Sequence, residues 1–288
     1  MHRIELKNRT NGLSVSLAIC VGAAVVQVPF TAHAAGAEFY VHTFEANSRV
    51  FALDADTGAK TLVGQTGVGF LTDIAFAPDG SLFATTLSGF YSVNPINAAT
   101  TLIGPLGTSQ MVGLDFSSDQ NLYGVGQQGG QFFRIDLGSG AATALFTTPF
   151  TYNGDVAHYQ QSTFYATATF AGGSHLIEIN AAVGSAVDRG LIFSGQDTPG
   201  LDFDANGRLI AFSTSGHAYL IPSFGSSGAG TLLSDFGLLV GGATAVPIPE
   251  PSTSNMLVVG GLAIMGMCWN RRAKVGRTDR TLVVPKDA

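Results

Sequence analysis

Between residues 35 and 246 the apolar positions fall in short alternating runs rather than in a helical period. Four segments share one layout, an apolar run, a turn and a second apolar run: Ile74-Ala75-Phe76 with Leu82-Phe83-Ala84, Leu114-Asp115-Phe116 with Leu122-Tyr123-Gly124, Val156-Ala157-His158 with Phe164-Tyr165-Ala166, and Leu201-Asp202-Phe203 with Leu209-Ile210-Ala211. The first residues of the two runs are always eight apart, which predicts hairpins with a loop of constant length. Pro78-Asp79-Gly80 and Ala205-Asn206-Gly207 supply strong turn chemistry between the runs. A third run ends at Leu53, Val93, Ile135, Ile179 and Ile221, with steps of 40, 42, 44 and 42 residues. Each leads through a Gly, Ala or Ser loop to a fourth run, at Thr61-Leu62-Val63, Thr101-Leu102-Ile103, Thr143-Ala144-Leu145, Gly190-Leu191-Ile192 and Thr231-Leu232-Leu233.

Four strands repeating every 40 to 44 residues predict an all-β fold, a five-bladed β-propeller of four-stranded blades. The segment from Glu38 to Val63 supplies only strands two to four of a blade, and Gly242-Ala243-Thr244-Ala245 falls where its first strand is expected. N- and C-terminal strands thus close the ring and remove exposed sheet edges. The layout resembles secreted propellers of the WD40/YVTN-like superfamily, without the His and Trp-Asp pairs of true WD40 repeats. A β-sandwich and an open β-solenoid are the competing folds. Aromatics such as Phe39, Tyr40, Phe51, Tyr91, Phe132, Phe133, Tyr165 and Tyr219 are expected between blades.

The two ends read differently from the body. Residues 1–34 have the layout of a secretory signal peptide: Arg3, Lys7 and Arg9, an apolar run from Leu13 to Val28, and Ala32-His33-Ala34 as a cleavage pattern. Ile19 before Cys20 argues against lipidation. Residues 247–274 order three features: the rigid Pro249-Glu250-Pro251, an apolar run from Met256 to Trp269, and the basic cluster Arg271, Arg272 and Lys274. The run suits a transmembrane helix whose basic end stays cytoplasmic. This order resembles the PEP-CTERM sorting signal of exopolysaccharide-producing Gram-negative bacteria. The resemblance implies recognition by exosortase, a membrane-embedded cysteine protease, after passage through the Sec translocon and signal peptidase. It also implies transient anchoring, then release or transfer to the cell surface. Residues 275–288 form a short cytoplasmic tail in this reading, longer than the resemblance leads one to expect.

Composition narrows the function. The body carries sixteen acidic against five basic residues, which excludes a nucleic-acid partner because phosphate neutralisation needs clustered Lys and Arg. Both cysteines, Cys20 and Cys268, lie in the terminal apolar segments, so the body forms no disulfide. No catalytic or phosphate-binding motif appears, and His42, His158, His175 and His217 lack metal-ligand spacing. The candidate channel ligands are Asp73, Asp115, Asp155, Asp202 and His158, all on first strands. A ring of carboxylates suits calcium, whereas carboxylates that bond the backbone of their own blade are the simpler reading. Asp73 and Asp155 precede the aligned aliphatic residue while Asp115 and Asp202 follow it, and this alternation is expected to place them on different strand faces. The expected role is a non-enzymatic surface or matrix module, with exopolysaccharide or another surface protein as partner and no cofactor. The alternative is a secreted polysaccharide lyase or glycosidase using channel-mouth carboxylates such as Asp115 and Asp202.

Overall fold

The computed structural model describes residues 38–108, 110–170, 172–222 and 229–247. The expected signal peptide, membrane helix, basic cluster and cytoplasmic tail lie outside the described residues, as do Pro249, Glu250 and Pro251.

Within them the chain forms twenty strands in five four-stranded antiparallel sheets. The chain enters with β1 (Phe39–Thr43), β2 (Arg49–Leu53) and β3 (Lys60–Gln65). Blade 1 is β4 (Asp73–Phe76), β5 (Leu82–Thr85), β6 (Gly89–Val93) and β7 (Thr100–Pro105). Blade 2 is β8 (Met111–Phe116), β9 (Leu122–Gly126), β10 (Gln131–Ile135) and β11 (Ala142–Thr147). Blade 3 has the longest strands, β12 (Tyr152–Gln160), β13 (Thr163–Phe170), β14 (Gly173–Asn180) and β15 (Ser185–Ser194). Blade 4 is β16 (Gly200–Phe203), β17 (Leu209–Phe212), β18 (His217–Ile221) and β19 (Thr231–Asp235), and β20 (Val240–Ala245) follows.

Strand β20 pairs antiparallel with β1, from Phe39 opposite Ala245 to Thr43 opposite Val240, and the fifth blade runs β20-β1-β2-β3. The expected closure by both ends of the body is therefore present, and the sandwich and solenoid are ruled out. The constant hairpin spacing is visible in the registers, where the closing pair is always six residues apart: Phe76 opposes Leu82, Phe116 opposes Leu122, His158 opposes Phe164 and Phe203 opposes Leu209.

The core is divided into five layers, one between each pair of neighbouring blades. Phe39, Val41 and Phe51 of blade 5 pack with Ile210 and Phe212 of blade 4. Tyr40 and Val50 on the opposite side of blade 5 pack with Ile74, Phe76 and Leu82 of blade 1. Alternate residues along one strand thus serve two different layers, as the two-residue period of a strand requires. Aromatic pairs bridge the layers, such as Phe39 with Phe212 and Tyr40 with Phe76, both edge-to-face with centroids 5.0 Å apart.

Turns recur as regularly as strands. In the turns between third and fourth strands, the side chains of Asp54, Asn94, Asp136 and Asn180 accept hydrogen bonds from backbone N–H groups two or three residues on. Each turn then needs a left-handed residue, which is Gly58, Gly140 and Gly184 in three blades and Ala98, at φ 60°, in blade 1. The turns joining first to second strands, together with those joining third to fourth, form one face of the ring. Both ends of the body meet there, where Val246 N–H donates to the Glu38 carbonyl at 2.8 Å. This is the exit face; the opposite one is the far face.

Candidate functional site

The first strands β4, β8, β12, β16 and β20 run side by side around the axis, so their side chains decide what the channel is. Aligned by register, each contributes two inner positions two residues apart: Asp73 and Ala75, Gly113 and Asp115, Asp155 and Ala157, Gly200 and Asp202, Gly242 and Thr244. The expectation that the four aspartates occupy different faces is corrected by this register. Residues one before and one after the same aliphatic position are two apart, and a two-residue step returns a strand to the same face. They form two levels on one face, Asp73 and Asp155 at the upper, Asp115 and Asp202 at the lower.

Each carboxylate is a clamp between neighbouring blades. Asp73 accepts from Ile74 N–H of its own strand at 2.8 Å and from Leu114 N–H of the next blade at 2.6 Å. Asp115 accepts from Phe116 at 2.7 Å and His158 at 2.5 Å, and Asp155 from Val156 at 2.7 Å and Leu201 at 2.9 Å. Asp202 accepts from Phe203 at 2.7 Å and from Ala245 of the closing strand at 2.6 Å. The fifth link is Thr244, whose Oγ1 accepts from Phe76 N–H of blade 1 at 3.1 Å. The backbone-bonding reading of these aspartates is half of the arrangement; the other half reaches across to the next blade and makes the ring continuous.

Small residues make room for the clamps. A Cβ on Gly242 would collide with Asp73 and His42, and one on Gly113 would press on the Asp155–Val156 peptide. Where the lower position holds Asp or Thr, the upper one is glycine; where the upper holds Asp, the lower is alanine. All four carboxyls are buried. Burial pushes Asp73, Asp115 and Asp155 well above the usual carboxylate range and Asp202 up to about 6. The Asp202 charge adds to the effect on Asp115, as the Asp73 charge does to that on Asp155. Beside Asp73, His42 is fully buried, and burial lowers it to about 4, so it is neutral.

This donor set does not fit calcium. The oxygens already accept backbone N–H groups, burial favours protonated carboxyls, and among the described residues no group of three or more His, Cys, Asp or Glu has metal-holding geometry. His158 contributes its backbone N–H to the Asp115 clamp, while its ring turns away, its Nε2 3.1 Å from the Gln161 carbonyl and its edge on Phe164.

Sequence reasoning missed Thr244, His42 and a feature of the far face. There Phe44 and Phe70 stand edge-to-face 5.4 Å apart, 51% and 53% exposed, next to Leu239 at 68%. Phe70 adopts φ 54° and donates its N–H to the Glu45 carbonyl at 2.8 Å. A half-exposed aromatic residue in the left-handed region is strained, and strain of this kind concentrates at functional surfaces. The signal in the sequence is slight, since Phe70 follows Gly67 and Gly69 in an ordinary Gly-rich stretch.

The PEP-CTERM protein-sorting motif matches residues 247–272. It indicates an exported protein, anchored at the membrane by its C-terminal region, processed by exosortase and then placed at the surface. The described body is a five-bladed propeller, and this motif follows it directly in the sequence. No curated protein matches it in sequence. Among solved structures, a chain of a nidogen/laminin complex is similar over 75% of this chain and 100% of its own length, at 11% identity and TM-score 0.51. A symmetrical protein from a study of de novo evolutionary emergence covers 74% and 100%, at 19% identity and TM-score 0.48. Virginiamycin B lyase from Staphylococcus aureus covers 68% and 70%, at 11% identity and TM-score 0.44. Likeness at such identities is likeness of fold.

Proposed function

We propose that the processed ring is a non-enzymatic binding module of the cell surface or extracellular matrix, working in an exopolysaccharide layer. The observation that carries this is the adjacency of sorting motif and ring. The last strand ends at Ala245 and the motif begins at Pro247, so a cut between Pro247 and Met256 frees a closed propeller. The reading places the binding surface on the far face, where Phe44 and Phe70 offer an apolar platform of the kind that sugar rings stack on. An acidic body repels polyanions, so neutral glycans, or a protein partner without strong negative charge, are the fitting class.

The channel supports this reading rather than an enzymatic one, because Asp115 and Asp202 are buried and hold backbone N–H groups of two blades each. Two measurements test the proposal. Mass spectrometry of the extracellular protein with and without exosortase should find a C-terminus before Met256; residues beyond Trp269 in the extracellular form would sink the sorting reading. Binding of the processed protein to an array of neutral and acidic glycans should retain neutral ones and weaken on Phe44→Ala, and hydrolysis of any arrayed glycan would reverse the non-enzymatic assignment.

A further inference from the structure

Until it is processed, the ring hangs from the membrane by a tether whose root the structure defines. Val246 is pinned to Glu38, and β20 is a first strand, so the chain leaves the ring at the mouth of the channel, near the centre of the exit face. Nine residues, 247–255, separate this root from the apolar run that begins at Met256. Fully extended, they reach at most about 32 Å. A compact body of about 210 residues has a radius of roughly 22 Å. To turn the far face toward the bilayer, the tether would have to pass over a quarter of the circumference and then down one radius, roughly 57 Å on that radius. The tether is too short by about half.

The exit face also carries exposed aliphatic side chains in the turns between third and fourth strands of three successive blades. Ile96 in blade 1 is 65% exposed and Val183 in blade 3 is 71% exposed, with Leu137 of blade 2 between them. We infer that the exit face of the unprocessed protein lies on the lipid surface, with Ile96, Leu137 and Val183 in the interfacial region, and that the far face points away from the membrane. The inference rests on the anchoring reading above and is independent of what the far face binds. Each side chain contributes little alone. The tether supplies a high effective concentration, so weak contacts suffice. Asp56, Asp79 and Asp136 share this face, so the fitting surface is a neutral one, and anionic lipid opposes the contact.

The test uses the chain after signal-peptide removal, residues 35–288, with Cys268 replaced by serine and one new cysteine at a time, Ile96→Cys, Val183→Cys or Leu239→Cys, each at an exposed position. The labelled proteins are inserted into phosphatidylcholine vesicles and floated on a density gradient, and a polarity-sensitive label is exposed to a water-soluble quencher. The expected result is a blue-shifted emission and several-fold weaker quenching at positions 96 and 183 than at 239, with the difference reduced when anionic lipid is added. Equal quenching at all three positions in protein that floats overturns the apposition while leaving the anchor intact. Protein that does not float overturns the anchoring reading and this inference with it.

Discussion

The innermost and outermost strands of each blade carry out opposite tasks with the same backbone. The first strands are buried end to end in β4 and β8, carry glycine, alanine and aspartate at the inner positions, and are joined to their neighbours by carboxylate clamps. The fourth strands β3, β7 and β11 are largely exposed and show Leu62, Leu102 and Leu145 to solvent. All five fourth strands share a β-bulge, which skips Val63, Ile103, Leu145, Ile192 and Leu233 in the pairing with the third strand. A bulge bends and twists an edge strand so that it makes a poor template for another chain. The channel is thus protected by satisfying every N–H it presents to a clamp, and the rim by spoiling its own regularity. Buried carboxylates sit at the centre of this molecule and solvent-facing leucines at its edge.

If that contrast is correct, damage to the centre should be severe and damage to the rim slight. The largest effect is expected from ending the chain at Leu239. Without β20 the fifth blade loses its first strand, Asp202 loses Ala245 and blade 1 loses Thr244. Equilibrium denaturation should then lose its single cooperative transition, and light scattering should show association through the freed edge of β1. Asp155→Ala leaves the N–H groups of Val156 and Leu201 buried and unpaired; the expected loss is about 2–4 kcal/mol by urea denaturation. Leu232→Thr on the rim should cost less than about 0.5 kcal/mol in the same measurement. Equal losses at positions 155 and 232 would break the comparison.

Acidity sharpens it further. A carboxyl whose folded pKa is raised stabilises the fold fully below its unfolded value, and that stability is lost as pH rises through the folded one. With Asp202 raised from 3.8 to about 6 and Asp73, Asp115 and Asp155 also raised, the melting temperature should fall as pH rises from about 4 through about 6. His42, lowered to about 4, acts oppositely, since its contribution is lost as pH falls from about 6.5 toward 4. The optimum is therefore expected in mildly acidic solution, and Asp73→Asn should flatten the alkaline limb. The smallest effect belongs to a turn. Gln120 holds φ 65° where the corresponding turns have Gly80 and Gly207, so Gln120→Gly should stabilise by up to about 1 kcal/mol, read as a small rise in melting temperature.

The sequence alone determined the number of blades, the pairing of first with second strands, and the closing role of Gly242 to Ala245. Those features follow from periodicity and turn chemistry, which are local and repeat in every blade. It also placed Asp73, Asp115, Asp155 and Asp202 on first strands. What it could not determine was whom they bond, because each clamp joins residues 41 to 46 positions apart, and no spacing rule separates a channel carboxylate that awaits a cation from one that holds two amides. The pairing of Phe44 with Phe70 came only from the folded ring for the same reason, since the β1–β2 turn and the loop from β3 to β4 meet there. The blades were legible because each hairpin is decided by its own residues. The clamps and the far face were decided by tertiary structure, because their partners lie in separate strands or blades and meet only in the folded ring.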